Sequence, residues 1–188
     1  MDRNREAVLA TARRVFAKKG YTGATLETIA EAAGFSKGVV YSQFSSKTDL
    51  FLALLERRIE ERAAENRGIV TRYPGVEGLR RMLERAIDHA MVDTGWALLL
   101  VEFRALAARD PRTNRRYAEL DARTLRSLAS DLELLCSQAG ILPAFSPEVL
   151  AQFILALDTG IALERAANPA ALPAQALTTL VSRALGLA

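Results

Sequence analysis

Apolar residues recur along this chain at spacings of three and four, the period at which one face of an α-helix returns. Val8, Ala12, Val15 and Phe16 mark such a stripe in a first predicted helix from Arg3 to Lys19, with Arg13, Arg14 and Lys18 off it. Gly20 is expected to end that helix, after two lysines suited to a helix C-terminus. Leu26, Ile29, Ala30 and Ala33 predict a short second helix, capped by Thr25 and broken at Gly34. Ser36 then offers a hydroxyl to free backbone N–H groups, and a third helix from Lys37 carries Val40, Tyr41 and Phe44 inward. Two short helices joined by a glycine-containing turn make a helix-turn-helix.

The pattern continues to the end of the chain. Ser45 or Ser46 with Asp49 makes a capping-box-like start for a fourth helix carrying Leu50, Phe51, Leu54 and Leu55. It then becomes charged through ERRIEERAAENR, which reads as a solvated face. Tyr73, Pro74 and Gly75 punctuate, and a helix from Val76 to Asp93 follows with Leu79, Leu83, Ala86, Ile87 and Ala90 at core spacing. Gly95 marks another expected break. The segment WALLLVEFRALAARDP is apolar on most sides except Glu102 and Arg104, which predicts a central helix ended by Pro111. A long amphipathic helix from Arg112 to Ala139 presents Tyr117, Leu120, Leu125, Leu128, Leu132 and Leu135 and stops at Gly140. Two last helices, Ser146 to Ala167 and Leu172 to Leu185, flank a loop from Asn168 to Pro173. No stretch alternates β-branched residues, so the fold class is all-α, with about nine helices.

Half of the 188 residues are hydrophobic, enough for a sizeable core. The single Cys136 cannot form an internal disulfide. The N-terminus MDRNREAVLATARR lacks a signal-peptide core, and no run of about 18 uncharged apolar residues occurs, so a soluble cytoplasmic protein is expected, with no membrane partner. Net charge is +3, unevenly placed: residues 1–47 hold eight Lys/Arg against four acids, including all four lysines of the chain. A basic head on a near-neutral body is what binding to phosphates requires, and the third helix adds a small, polar outer face of Lys37, Ser42 and Gln43. Gly38 admits close backbone approach there, and such a face suits a DNA major groove.

The stretch TLETIAEAAGFSKGVVYSQFSSKTDLF, preceded by VLATARRVFAKKGY, resembles the N-terminal DNA-binding domain of the TetR (tetracycline-repressor-like) family of bacterial regulators. Phe16, Gly20, Tyr21, Ile29, Ala30, Gly34, Tyr41, Phe44 and Lys47 stand at the family's spacing, over about the first quarter of the chain. The resemblance implies a helix-turn-helix domain at 1–47, then a linking helix with a ligand-sensing and dimerisation domain at 48–188. It implies that Lys37, Gly38, Val39, Ser42 and Gln43 approach base edges in the groove, while Thr25, Ser36, Tyr41 and Lys47 hold phosphates. Family members commonly carry histidine or tyrosine where Gln43 stands and a larger side chain where Ser42 stands, so a relative's base preference does not transfer.

The same resemblance implies a homodimer on a palindromic operator, with the fourth helix as transmission element. The last two helices are more apolar than packing inside a monomer requires, with Gly160 allowing close approach, which independently points to a second subunit. Phe153, Leu157, Gly160, Ile161, Leu177, Leu180 and Val181 are the candidate interface residues. For a small-molecule inducer, the candidates are Met82, His89, Met91, Trp96, Phe103, Arg104, Tyr117, Phe153 and Asp158, aromatic and thioether walls with a few polar points. Core packing accounts for the aromatics Trp96, Phe103 and Phe153 better than a ligand does; Asp158, inside an apolar run, needs a partner either across a dimer or in a pocket. A regulator controlled by a partner protein is the alternative to an inducer-released repressor. An enzyme is disfavoured: one histidine cannot furnish paired Glu-x-x-His ligands, and no zinc set, nucleophile elbow or P-loop occurs. No cofactor is expected.

Overall fold

Nine α-helices and no strand are found among residues 3–184, the part of the chain that this computed structural model describes. They are α1 (Arg3–Gly23), α2 (Leu26–Ala33), α3 (Lys37–Tyr41), α4 (Lys47–Arg72), α5 (Val76–Val92), α6 (Thr94–Ala107), α7 (Pro111–Ala139), α8 (Pro147–Ala167) and α9 (Ala174–Ala184). None of these helices is long and apolar enough to cross a membrane. The predicted end of the last helix, Leu185, lies outside the described residues. The chain divides into two compact units, residues 1–60 with 99–120 and residues 61–98 with 121–188, so the boundaries fall inside α4, α6 and α7.

In the first unit Val8, Leu9, Ala12 and Phe16 of α1 are buried with Leu26, Ile29 and Ala30 of α2, Val40 of α3, and Phe44. An aromatic cluster completes this core: Phe51 stacks on Phe103 with ring centres 4.3 Å apart, and both Tyr21 and Phe16 meet Phe51 edge-on at 5.3 and 5.5 Å. Tyr117 adjoins Phe103 at 6.2 Å. Aromatic pairs at these offsets contribute about 0.5–1.5 kcal/mol each beyond area burial.

In the second unit, one apolar cluster joins Leu79 and Met82 of α5, Leu128, Leu132 and Leu135 of α7, and Leu150 and Ala151 of α8. Another joins Leu83, Ile87 and Ala90 of α5 with Ile161 of α8 and Leu177 and Val181 of α9. Gly78 makes the first cluster possible: a Cβ there would lie 2.1 Å from the Tyr73 carbonyl oxygen and 2.5 Å from Leu135.

Gly20 interrupts α1 where the sequence places the end of the first helix, with φ 70° and ψ 175°, and the residues to Gly23 lie beyond that kink. Two element boundaries differ from the sequence expectation. Gly95 lies inside α6; the break comes at Asp93, whose side chain accepts from the Trp96 backbone N–H. Pro111 does not close α6 but opens α7, where a missing N–H costs nothing, and Asp110 accepts from Arg112 and Thr113 as the cap.

Candidate nucleic-acid interface

The helix-turn-helix is built by local chemistry. Thr25 and Thr28 form a reciprocal capping box, each side chain accepting from the other's backbone N–H at 3.1 Å. Gly34 closes α2 in the left-handed conformation, φ 72°, and its N–H reaches the Ala30 and Glu31 carbonyls. Only a residue without Cβ takes this turn cheaply. Ser36 then caps α3, accepting from Val39 N–H at 3.4 Å. Val40 and Phe44 are buried beneath α3, which leaves Ser36, Lys37, Gly38, Tyr41 and Ser42 exposed in one short stretch. Thr25 is exposed as well, while Val39, Gln43 and Lys47 are half-buried.

Several of these side chains already have partners. The Tyr41 hydroxyl donates to Glu27 at 2.8 Å, which raises the phenol and, from the other side, lowers the Glu27 carboxyl. The Ser42 hydroxyl donates to the Val39 carbonyl at 2.9 Å. Gln43 has its amide oxygen buried without a hydrogen-bond partner, and its backbone carbonyl accepts from Arg5, whose guanidinium lies 4.5 Å over the Phe44 ring. Lys47 donates to the carbonyls of Tyr21 and Thr22 at 2.8 and 3.3 Å and sits 4.6 Å over the Tyr21 ring. Burial lowers its ammonium, against the opposing pull of Glu102.

Glu102 went unassigned in the sequence, although a lone carboxylate in the apolar run of α6 was its visible signal. It accepts from the backbone N–H groups of Tyr21 and Thr22 at 2.8 Å each, immediately after the Gly20 kink. Burial works to raise this carboxyl, but the bonds from Thr22 and Tyr21, with Lys47 nearby, leave it below its ordinary value. Within the first unit Glu102 ties the end of α1 to α6 and Lys47 ties it to the start of α4: one takes the free N–H groups, the other the free carbonyls.

The candidate inducer residues divide between the units. Phe103 and Tyr117 belong to the aromatic core of the first, and Arg104 is exposed with its guanidinium 5.3 Å over Tyr117. In the second, Met82 and Trp96 are buried, Met91 packs against the α5–α9 cluster, and Phe153 is 51% exposed. His89 and Asp158 enter one charged network: Arg62 Nη1 lies 3.4 Å from Asp158 Oδ2, Arg85 bonds Glu65 and Asn66, and His89 Nδ1 is 3.5 Å from Arg85. Of the candidate interface residues, Ile161, Leu177 and Val181 require correction. They are buried within one chain against Leu83, Ile87 and Ala90, so α5 already covers them. Leu157 is half-buried against the same cluster, whereas Gly160 and Leu180 are exposed.

Residues 75–187 match the family model of the BetI-type transcriptional repressor C-terminal region, and residues 8–54 match that of bacterial regulatory proteins of the tetR family. The chain belongs to the TetR family of bacterial regulatory proteins. Within 115 residues this TetR-family chain is 35% identical to the HTH-type transcriptional repressor AcnR of Corynebacterium diphtheriae, covering 61% of this chain and 56% of that protein. The chain thus spans about half the length of the curated relatives it matches. The structure of the fatty acid degradation regulator FadR from Bacillus halodurans superposes with a TM-score of 0.77 at 19% identity, covering 100% of this chain and 95% of that one. FadR from Bacillus subtilis, solved in complex with stearoyl-CoA, gives 0.74 at 18% identity over 97% of this chain and 96% of its own. At such identities the likeness is one of fold.

Proposed function

We propose that this protein is a cytoplasmic, dimeric transcriptional repressor rather than an enzyme, released from a palindromic operator by a small molecule. The observation that carries the reading is the outer face of α3: Lys37, Gly38, Tyr41 and Ser42 exposed together over a buried Val40 and Phe44. Residues 1–47 act as the reader and residues 48–188 as linking helix, sensor and dimerisation region. Lys37, Gly38, Val39, Ser42 and Gln43 face base edges; Thr25, Ser36, Tyr41 and Lys47 hold phosphates. Tyr41 exchanges its Glu27 acceptor for a phosphate oxygen on docking, and Gln43 turns its amide outward to pair with a base.

Dimerisation is supported by a stripe on α8. Val149, Phe153, Ala156, Gly160 and Leu163 recur at spacings of four and three, and all are exposed in the single chain. Leu180 of α9, 64% exposed, adds to it. A two-fold dimer presents two α3 helices to half-sites one helical turn apart, about 34–36 Å. The sign of regulation is supported by the repressor among the relatives, and small-molecule input by the stearoyl-CoA complex of the Bacillus subtilis neighbour. Selection of bound fragments from genomic DNA, followed by footprinting, tests the reading. The expected result is a palindrome whose two protected half-sites lie one turn apart, with base preference relaxed at one position per half-site by Gln43→Ala. Enrichment of fragments with no shared sequence would overturn it.

A further inference from the structure

A second basic stretch lies outside the helix-turn-helix, at the corner where α6 passes into α7. Residues 104–116 carry five arginines, Arg104, Arg109, Arg112, Arg115 and Arg116, against the single acid Asp110. All five arginines are exposed. Asp110 is engaged as the cap of α7, accepting from Arg112 and Thr113. Arg104 lies over the Tyr117 ring and Arg116 bonds Asp49. The side chains of Arg109, Arg112 and Arg115 form no hydrogen bond or ion pair among the described residues. Packing inside the fold gives no reason for this arrangement. Within α7, Arg112 stands three and four residues before Arg115 and Arg116, spacings at which like charges repel, and the start of a helix itself disfavours cations.

The corner is tied to the edge of the reader. Asp49, in the first turn of α4, takes Arg116 on Oδ1 and the Ser45 hydroxyl on Oδ2, so one carboxylate joins α7 to the residue that comes two after Gln43. On α6, Glu102 accepts from the N–H groups of Tyr21 and Thr22, the same two residues whose carbonyls accept from Lys47. Both arms of the corner are thereby held beside the start of α4 within the first unit. Arg112 lies one turn before Arg116 on the same face of α7, about 6 Å along the axis. Exposed guanidinium groups without partners are matched by phosphate oxygens, which they bind in pairs. On the reading of α3 as the groove helix, we propose that Arg109, Arg112 and Arg115 bind backbone phosphates of the same operator duplex, a sequence-independent contact made from outside residues 1–47. An acidic protein surface carries the same charge, but the carboxylate shared by Arg116 and Ser45 puts the arginines beside the reader and favours DNA.

The test titrates the full chain with a selected operator duplex and with a scrambled one, over salt from about 50 to 200 mM. A double variant, Arg112→Gln with Arg115→Gln, should keep the wild-type melting temperature, since both side chains are exposed and unbonded. It should flatten the slope of log K against log salt by about 0.9 for each arginine removed in each protomer, and lower affinity about fivefold per arginine at about 0.15 M salt. Operator and scrambled duplex should lose by the same factor, because a phosphate carries no sequence. Arg112→Lys with Arg115→Lys should retain most of the slope, since charge rather than the arginine fork supplies the counterion release. Wild-type slopes in the Gln variant, with operator binding intact, would overturn the corner's contact and leave α3 as the reader. Loss confined to the operator would make these arginines base readers and overturn the backbone contact. Poly-glutamate bound by the wild type and not by the variant, with DNA slopes unchanged, would assign the corner to an acidic protein instead. A wild-type chain that binds no duplex saturably would overturn the reading of α3 itself, and the corner's contact with it.

Discussion

Replacing Glu102 by Gln changes little in shape and removes the acceptor pair that holds the end of α1. The carboxylate takes the Tyr21 and Thr22 N–H groups at 2.8 Å each. Glutamine keeps one carbonyl oxygen, now neutral, and turns an NH2 donor toward the other N–H. A hydrogen bond to a charged group contributes about 1.5–3 kcal/mol, and the Thr22 N–H, being exposed, regains part of its loss from water. The local cost is therefore about 2 kcal/mol, a drop of about 30-fold in hydrogen-exchange protection at these two amides. Amides of α2 should keep their protection, because the capping box and Gly34 do not involve Glu102. Since folding lowers the Glu102 carboxyl, its contribution is complete above about pH 5 and is lost as pH falls through the depressed folded value. The difference between wild type and Glu102→Gln should accordingly shrink on acidification. Equal protection of Tyr21 and Thr22 in both proteins at neutral pH, or a gap that persists below the folded value, would refute the clamp.

The other perturbations test separate parts of the account. Gly20→Ala should lower the melting temperature about twice as far as Gly34→Ala: φ 70° with ψ 175° is a glycine-only region costing about 1–3 kcal/mol, and the new Cβ lies 2.9 Å from Glu102, whereas Gly34 is in the milder left-handed well with open space around it. A reversed order by calorimetry would contradict this. Gly78→Ala should destabilise the second unit by about 1–3 kcal/mol or more, since its Cβ would overlap the Tyr73 carbonyl and Leu135; a neutral result in urea unfolding would refute that packing. Gly160→Glu should leave the monomer fold intact, as no atom lies within 4 Å of the added Cβ and glycine inside a helix costs about 0.5–1 kcal/mol. It should nevertheless convert dimer to monomer in sedimentation; an unchanged dimer would remove α8 from the interface.

The helix-turn-helix was legible in the sequence because its determinants are local. Thr25, Gly34 and Ser36 act within four residues of themselves, and the structure finds all three at the caps and turn expected of them. What was not legible depends on distant partners. Gly20 was legible as the break in α1, but nothing near it announces that a carboxylate about 80 residues away will receive the next two N–H groups. Periodicity has a similar blind spot. Phe153 and Ile161 are both apolar residues of α8, yet one is 51% exposed and the other 2%, because only the packing of α5 decides which face is covered. The charged network shows the same limit: His89 and Asp158 stood out as isolated polar points, while Arg62 was one member of a run read as a solvated face and Arg85 was not singled out.

The central claim is that α3 presents its outer face to DNA. Fluorescence anisotropy of a selected operator duplex, titrated with protein at salt from about 50 to 200 mM, tests it most directly. Saturable binding at one dimer per palindrome is predicted, with log K falling linearly against log salt at a slope of about −0.9 per phosphate contacted. Lys47→Ala should reduce that slope by about one and weaken all sequences alike, and Lys37→Ala should weaken the operator more than a scrambled duplex. Binding that fails to saturate, or an affinity indifferent to salt, would contradict the claim.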